Sequence, residues 1–355
     1  MMTRADIAQQ RLVNQHISKA TFEKASDVVK WLGAVQSQDY LAALWAVGLR
    51  MNEASDGDVE QAFTDGAILR THVMRPTWHF VAPEDIRWML ALTSPRVHAV
   101  NEHMYRQLEL DTITITQSNT ALVKALRGGK QLTRKELGDV LRRAGIAVDD
   151  GLRLGYIMMR GELDGIICSG ARRGKQFTYA LLDERAPHAK LLARDEALAE
   201  LTTRYFTSHG PATVHDFAWW SGLTTADVRH GIEIVKSKLL HEVIDDQTFW
   251  FAPPATSARG KSRSAYLLPN YDEYTIAYRD HSAIFDKVNL KNLIYGHVLI
   301  LHGRIVGTWK RTLKHDGVIV QFNSFAPLTK TEHRAVVAAA KRFGAFLGLR
   351  VVLIE

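Results

Sequence analysis

Two glutamines separated by one residue are the part of this sequence best suited to chemistry. The segment reads Gln36-Ser37-Gln38 and is followed by Asp39. On a helix, side chains two positions apart diverge by about 200°, whereas in extended backbone they point to the same side. Convergence of the two amides therefore requires the preceding apolar helix to end near Gln36. Solvated or capping glutamines are the commoner outcome for such a triplet, and that alternative stays open.

A second feature is a set of cations on predicted exposed turns. They form two clusters, the second of which lies in a small-residue, basic linker at 255–264. The six residues are Arg172, Arg173, Lys175, Arg259, Lys261 and Arg263. Phosphate contact needs only flexible cations on an exposed turn. Any one of them could equally be a solvated surface charge, but two clusters together favour a nucleic-acid partner.

Other reactive residue types do not form a recognisable site. Asp272 and Glu273 are adjacent acids between two tyrosines, and fixing the turn of a strand is the simpler interpretation. Cys168 is the only cysteine, which excludes an internal disulfide and any multi-cysteine metal site. The sequence has no Gly-rich phosphate loop and no nucleophile elbow. We therefore expect neither a metal nor another cofactor.

The elements that must position these residues recur along the chain. Segments 70–83, 171–182 and 245–254 each contain an aromatic-rich, alternating strand after a polar turn, and each follows a stretch with helical periodicity. Helices that lead into a β-hairpin are the element order of a winged helix. The sequence therefore predicts three winged-helix units in tandem.

The third copy is the most clearly defined. Thr224 and Asp227 have the spacing of a capping box at the start of a helix, and Gly222 stands where a helix-turn-helix needs a left-handed residue. The predicted recognition helix, 225–236, carries Arg229 outward, which makes this arginine a candidate for DNA contact. An ordinary pair of antiparallel helices is the alternative interpretation.

The first two copies have their own local signals. Thr133 and Glu136 form a capping box at the start of the second copy. In the first copy, Asp58 can cap a short helix, and Arg75-Pro76 is predicted to form the turn of the hairpin.

Beyond residue 264 the pattern changes to alternating strands. Hairpin turns are predicted at 302–303 and 316–317, and Thr329 with Glu332 caps a helix that ends before Gly348. A last strand follows. This pattern is typical of a compact, β-rich module.

The predicted fold class is α+β, with three tandem winged-helix domains followed by a C-terminal β-barrel-like module. The winged helices are assigned to 1–118, 119–190 and 191–255, and the β-rich module to 256–355. The first domain also contains the N-terminal helices and the two glutamines.

The composition is that of an ordinary globular protein, with 46% apolar and 23% charged residues. Forty-five Lys and Arg against 38 Asp and Glu give a net charge of +7, which suits a polyanionic partner without identifying one. The N-terminal residues lack the apolar core of a signal peptide, and no uncharged apolar run approaches the ~20 residues that span a bilayer. We expect a cytoplasmic, nucleoid-associated protein without a membrane partner.

Three segments carry a resemblance to a known family: Val35–Asp39, Arg75–His79 and Leu267–Tyr274. Over essentially the whole chain, the sequence resembles the winged-helix alkylpurine DNA glycosylases of the AlkZ/YcaQ type. The resemblance implies three winged helices and a β-barrel that form a concave channel for duplex DNA. It also implies excision of alkylated purines, including cross-linked ones, by a Gln–aliphatic–Gln or Gln–aliphatic–Asp motif. Gln36 and Gln38 match the outer positions, and Ser37 stands where the family has an aliphatic residue.

The implied chemistry suits two amides. An amide takes up no proton at neutral pH, so the usual mechanism of two carboxylates is excluded. A purine alkylated on its imidazole-ring nitrogen is already cationic and leaves without a general acid. The glutamines need only hold a water beneath the anomeric carbon and stabilise an oxocarbenium-like centre with their carbonyl dipoles. Because the motif has no lysine, we predict a monofunctional enzyme without a Schiff-base intermediate.

The resemblance also suggests roles for residues around the two glutamines. Asp39 could add a negative charge, and Arg75, Thr77 and His79 are candidates for contact with the sugar-phosphate backbone. A turn whose polar groups satisfy each other is an equally good interpretation of the last three.

Two other functions remain open. A winged-helix transcription regulator would insert the predicted recognition helix into a major groove and dimerise on a two-fold operator. Three winged units in one chain make dimerisation unnecessary, so we expect a monomer bound to double-stranded DNA. A non-catalytic member of the family is the remaining alternative, because Ser37 departs from the motif.

Overall fold

The computed structural model describes residues 2–148, 151–253, 264–285 and 293–354. The helices in these ranges are α1 (Arg4–Asn14), α2 (Ala25–Leu32), α3 (Tyr40–Gly48), α4 (Asp56–Asp65), α5 (Ile86–Gln107), α6 (Thr112–Leu126), α7 (Arg134–Arg143), α8 (Gly151–Leu163), α9 (Leu182–Arg185), α10 (Arg194–Ser208), α11 (Val214–Ser221), α12 (Thr225–Val235), α13 (Glu273–Ile276) and α14 (Lys330–Phe346). The strands are β1 (Val35–Gln36), β2 (Leu69–Val73), β3 (Arg75–Val81), β4 (Leu132–Thr133), β5 (Ile167–Ser169), β6 (Thr178–Leu181), β7 (Leu240–Ile244), β8 (Gln247–Phe251), β9 (Ala265–Leu268), β10 (Val298–Leu301), β11 (Arg304–Leu313), β12 (Gly317–Ser324) and β13 (Arg350–Ile354).

The mixture of helices and short sheets confirms the predicted α+β class. The chain divides into two compact units: residues 1–60, 198–220 and 224–355 form the first, and residues 61–197 with 221–223 form the second. The finer division into three winged helices and a C-terminal module stays a prediction. Within the described part of the chain, no helix combines the length and the apolar character needed to cross a membrane.

The first unit contains a five-stranded sheet in the order β13-β12-β11-β10-β9. Neighbours are antiparallel except β12 and β13, which run parallel and are joined by α14. A parallel pair needs such a crossover connection, and a helix is its usual form. Side chains on the first half of β11 alternate between buried and partly exposed, which is the period of a strand with one covered face.

Aromatic side chains form the core between this sheet and its helices. The ring of Phe343 on α14 lies 5.1 Å from that of Trp309 on β11 and 5.2 Å from that of Trp45 on α3. The indole nitrogens donate to main-chain carbonyls of β9: Trp45 Nε1 to Leu267 O and Trp309 Nε1 to Leu268 O, both at 2.7 Å. Satisfied indoles can be buried at little cost, so this core joins the N-terminal helices to the C-terminal sheet.

The predicted order of strands and helix in the C-terminal region is confirmed, with one turn displaced. The turn at 302–303 joins β10 to β11 as predicted, whereas Gly317, which was predicted to lie in the second turn, is the first residue of β12, and that turn lies at 314–316. Thr329 and Glu332 form a complete capping box at the start of α14. The helix ends at Phe346, before Gly348, and the last strand follows.

Helices α10, α11 and α12 precede the β7–β8 hairpin, which is the predicted element order of the third copy. Thr224 and Asp227 form the capping box of α12, and Gly222 has the predicted positive φ, +71°. Helix α12 ends at Val235, one residue before its predicted end. The order of elements therefore agrees with a winged helix.

The second unit contains the β2–β3 hairpin and a three-stranded sheet in the order β4-β6-β5. The sheet packs with α6, α7 and α8 around a core that includes Leu122, Leu141 and Ile157. Thr133 and Glu136 form the predicted capping box of α7. In the first unit, Ser55 and Asp58 bond reciprocally at the start of α4, so Asp58 acts from the third helical position and the cap itself is Ser55.

The hairpin turn of the first copy was assigned to the wrong residues. Arg75 and Pro76 are the first residues of β3, and the turn lies at Met74, which has a φ of +65°. The Met74 N–H donates to Thr93 Oγ1 at 3.1 Å, and the side chain is buried. Tertiary packing thus stabilises a left-handed conformation that turn chemistry would assign to glycine or asparagine.

Replacing Gly222 with alanine is expected to destabilise the protein by about 3 kcal/mol. An added Cβ would lie 2.1 Å from Met74 O, so overpacking adds to the strain of a left-handed alanine. Gly174 is a matched control because its φ is +59° and nothing lies within 4 Å of an added Cβ. Gly174→Ala should cost only about 1 kcal/mol in urea unfolding. If the two variants lose equal free energies of unfolding, the expected clash between the added Cβ and Met74 O does not occur.

Candidate active site

The backbone between α2 and α3 is extended at the first glutamine, which is the conformation needed for the two glutamine side chains to point to the same side. Helix α2 ends earlier than expected, at Leu32, because Gly33 adopts a φ of +80°. An added Cβ on Gly33 would contact the Trp220 ring at 3.4 Å. Gln36 lies in β1, and the Asp39 side chain caps α3 by accepting from Ala42 N at 3.1 Å.

The three residues of the motif differ in exposure. Gln36 retains 8% of its surface, Ser37 is completely buried, and Gln38 is exposed. The small Ser37 occupies a position without accessible surface between two larger amides. The motif therefore presents Gln38 to solvent and keeps Gln36 at the edge of the protein interior.

A buried carboxylate holds the main chain of the first glutamine. Glu273 Oε1 accepts from Gln36 N at 2.9 Å, and Oε2 accepts from Trp220 Nε1 at 2.8 Å. Glu273 has no exposed surface. A buried carboxylate is stable only when donors of this kind surround it.

Its neighbour in sequence, Asp272, has a different role. Its carboxylate caps α13 through Tyr274 N and binds Arg50 with both oxygens, Nη1–Oδ2 and Nη2–Oδ1 each measuring 2.9 Å. Arg50 also donates to Ala46 O and to Gln15. The two acids thus begin a short helix, and the interpretation that they fix a strand turn is wrong.

Asp39 binds Asn270, which follows β9 and is itself bonded to His297. Asp39 Oδ2 accepts from Asn270 Nδ2 at 3.1 Å, and the main-chain N–H of Asn270 donates to His297 Nδ1 at 2.7 Å. Arg311 lies close enough to Asp39 and His297 to interact with both electrostatically. The exposed Gln38 is therefore followed by a carboxylate that binds Asn270, a residue 231 positions later in the chain.

We expect His297 to stay neutral throughout the physiological range. Burial, reinforced by the Arg311 charge, holds the pKa of His297 at about 4, below the ordinary 6.5. The group therefore contributes stability that is fully present above pH 6.5 and is lost as pH falls towards 4. An NMR titration should give a midpoint near 4, and His297→Gln should reduce the acid destabilisation in this window. A midpoint near 6.5 would contradict this account.

Sequence reasoning missed most of the residues that support the motif. Asn270 and Glu273 lie within a segment that carried the family resemblance, but no role was predicted for Asn270 and only a turn for Glu273. Arg50, His297 and Arg311 had no signal in the sequence, because their contacts depend on partners far away in the chain.

Arg75, Thr77 and His79 lie on β3 of the second unit. Arg75 and Thr77 are partly exposed, whereas His79 has no exposed surface and its Nδ1 lies 2.9 Å from Thr77 O. A buried ring reaches a phosphate only after a movement of the hairpin. Arg75 and Thr77 are therefore better placed for contact with a ligand than His79.

The predicted cationic residues differ in their surroundings. Arg173 is exposed but donates to Glu136 Oε1 and to Gln131 O, both at 2.8 Å. Arg172 is partly buried, with its guanidinium 5.5 Å from the Phe177 ring. Lys175 is exposed beside them, and Arg229 is exposed on α12 of the first unit. Arg259, Lys261 and Arg263 lie outside the described residues.

Comparisons with known proteins bear on the family and the fold of the chain. A curated relative, the interstrand DNA cross-link repair glycosylase of Streptomyces sahachiroi, is 24% identical over 349 residues, which cover 93% of this chain and 92% of the relative. The solved structure of Streptomyces sahachiroi DNA glycosylase AlkZ matches with a TM-score of 0.81 and 21% identity over the full length of both chains, which shows a shared fold. The family model for AlkZ-like DNA glycosylases matches residues 29–346. By this match over most of its length, the chain belongs to the AlkZ-like DNA glycosylase family.

Proposed function

We propose that this protein is a monofunctional DNA glycosylase that hydrolyses the N-glycosidic bond of cationic alkylated purines in duplex DNA. The observation that carries the proposal is the Gln36-Ser37-Gln38 segment, with an extended backbone at Gln36 and an exposed amide at Gln38. Membership of the family supports the reaction class. The name of the Streptomyces sahachiroi relative supports including purines joined in interstrand cross-links among the substrates.

The reaction needs little acid–base chemistry. The C1′–N bond breaks and the cationic base takes the bonding electrons, so it leaves as a neutral purine. Water then adds to C1′ and releases one proton, which leaves an abasic sugar. In this proposal the carbonyl dipoles of Gln36 and Gln38 orient the water and stabilise the oxocarbenium-like centre. Asp39 adds a nearby negative charge of the right sign.

In this proposal, duplex binding is assigned to a set of cationic and polar residues. Arg172, Arg173, Lys175 and Arg229 are proposed to contact phosphates, together with Arg259, Lys261 and Arg263, and Arg75 and Thr77 to contact the sugar-phosphate backbone. Arg173 would exchange its bond to Glu136 for one to phosphate. The three tandem winged helices at 1–118, 119–190 and 191–255 belong to this proposal, supported by the observed order of helices and hairpins.

The proposal is tested with a duplex that contains one N7-methylguanine. Wild-type protein should release the methylated base, detected by mass spectrometry, and leave an abasic site that alkali cleaves. Borohydride should trap no protein–DNA adduct, because the Gln36-Ser37-Gln38 motif contains no lysine to form a Schiff base. The unmodified duplex is the control. Binding without base release would reject the enzyme, and strong preference for one sequence would then favour a regulator.

A further inference from the structure

Glu273 is a fully buried carboxylate whose two oxygens serve different parts of the first unit. Oε1 accepts from the main-chain N–H of Gln36, which lies 237 positions earlier, and Oε2 accepts from the indole of Trp220. His209 Nε2 lies 3.6 Å from Oε2. An unpaired buried charge is strongly unfavourable, so these donors stabilise the Glu273 carboxylate, and the carboxylate in turn fixes the positions of the donors.

The bond to Gln36 reaches a very short strand. β1 has only two residues, and it lies between the left-handed Gly33 and the cap of α3. A charge-assisted hydrogen bond is shorter and roughly twice as strong as a neutral one. The contact is therefore one of the bonds that fix the backbone at the residue that carries the first amide of the motif.

We propose that Glu273 is a positioning residue for this motif: it fixes the main chain of Gln36 and thereby the direction of the Gln36 amide. The inference rests on the proposed glycosylase function. Glu273 has no accessible surface, so it acts through Gln36 and does not touch the DNA. The neighbouring Asp272, equally buried, binds Arg50 and the start of its own helix, which is a purely structural arrangement.

Glu273→Gln tests the inference with little change of shape. Gln36 and Trp220 donate to different oxygens of Glu273, so in a glutamine of the same shape one of these two donors would face the amide NH2, which cannot accept. Single-turnover base release should slow by roughly 10-fold to 100-fold, since misplacement by about 1 Å has effects of this size. The dissociation constant for the duplex should stay within about twofold. Amide hydrogen exchange in the peptide that contains Gln36 should accelerate.

A matched control separates positioning from general destabilisation. Glu162 is a buried glutamate of the second unit that contacts His72 and has no role in the proposed reaction. Glu162→Gln should lower the melting temperature without slowing base release at a temperature well below melting. If Glu273→Gln does not fold, Glu273→Asp keeps the charge and shortens its reach, and it should slow base release in the same way.

The outcomes distinguish the two proposals. If the wild-type protein releases no base, both the proposed glycosylase function and the proposed effect of Glu273 on catalysis are wrong. An active wild type with unchanged base release in a folded Glu273 variant overturns the positioning inference alone. Slower release with unchanged duplex affinity and faster exchange at Gln36 supports the inference, because a purely structural role would move only the melting temperature.

Discussion

Replacement of Gln38 with alanine is expected to slow base release by about 10²-fold to 10³-fold. Removing one oriented dipole from a site where charge develops has effects of this size. Gln38 is exposed, and Ser37 beside it is completely buried, so truncation at Gln38 removes an amide without opening a cavity. Gln36→Ala should have a similar effect, because its main-chain bond to Glu273 does not require the side chain.

Single-turnover kinetics with saturating enzyme measure this loss, and fluorescence anisotropy measures affinity for the intact duplex. Affinity should change by less than about twofold, since phosphate contacts supply most of the binding energy. Gln107→Ala, at an exposed position at the end of α5, is the matched control and should retain wild-type rates. If the Gln38→Ala variant releases base at the wild-type rate, the proposed mechanism through two amides is wrong, even though the fold is that of the family.

Loss of either partner of the Arg50–Asp272 pair is expected to destabilise the first unit by about 3–5 kcal/mol. Both side chains are almost completely buried, and they are joined by two hydrogen bonds of 2.9 Å. Asp272→Ala leaves the arginine charge without its counterion, and Arg50→Met leaves a buried carboxylate. An uncompensated buried charge accounts for a loss of this size.

Urea unfolding followed by circular dichroism gives the free energies. The double variant Arg50→Met/Asp272→Ala should lose less than the sum of the two single losses, because it leaves no unpaired charge. An exposed pair offers the contrast: Arg106→Ala, which breaks the bond to Glu102 on α5, should cost less than about 1 kcal/mol. Losses below about 1 kcal/mol for both buried single variants would contradict the structural role.

Local features of the fold followed from the sequence because their causes lie within a few residues. The capping boxes at Thr133, Thr224 and Thr329 each join a hydroxyl and a carboxylate three positions apart, so spacing is sufficient evidence. The left-handed Gly222 and the final helix–strand pair followed in the same way. The hairpin turn at Met74 did not, because a buried environment overrides the usual turn residues.

The candidate site was predicted only in part. Extended backbone at Gln36 was expected, but the helix before it ends at Leu32 because of the left-handed Gly33. The unequal exposure of Gln36 and Gln38 was not expected, and neither was the burial of His79. Exposure depends on which distant segments cover a residue, and no periodicity in the local sequence reports that.

The amino-acid sequence by itself determined the class of fold, the starts of three helices and the pair of amides that defines the candidate chemistry. Tertiary structure alone decided which groups hold that pair. Glu273 meets Gln36, Asn270 meets Asp39, and Arg50 meets Asp272 across more than 200 positions of chain. Such pairs form when folding removes water from charged groups and leaves each of them only the partners that packing brings near.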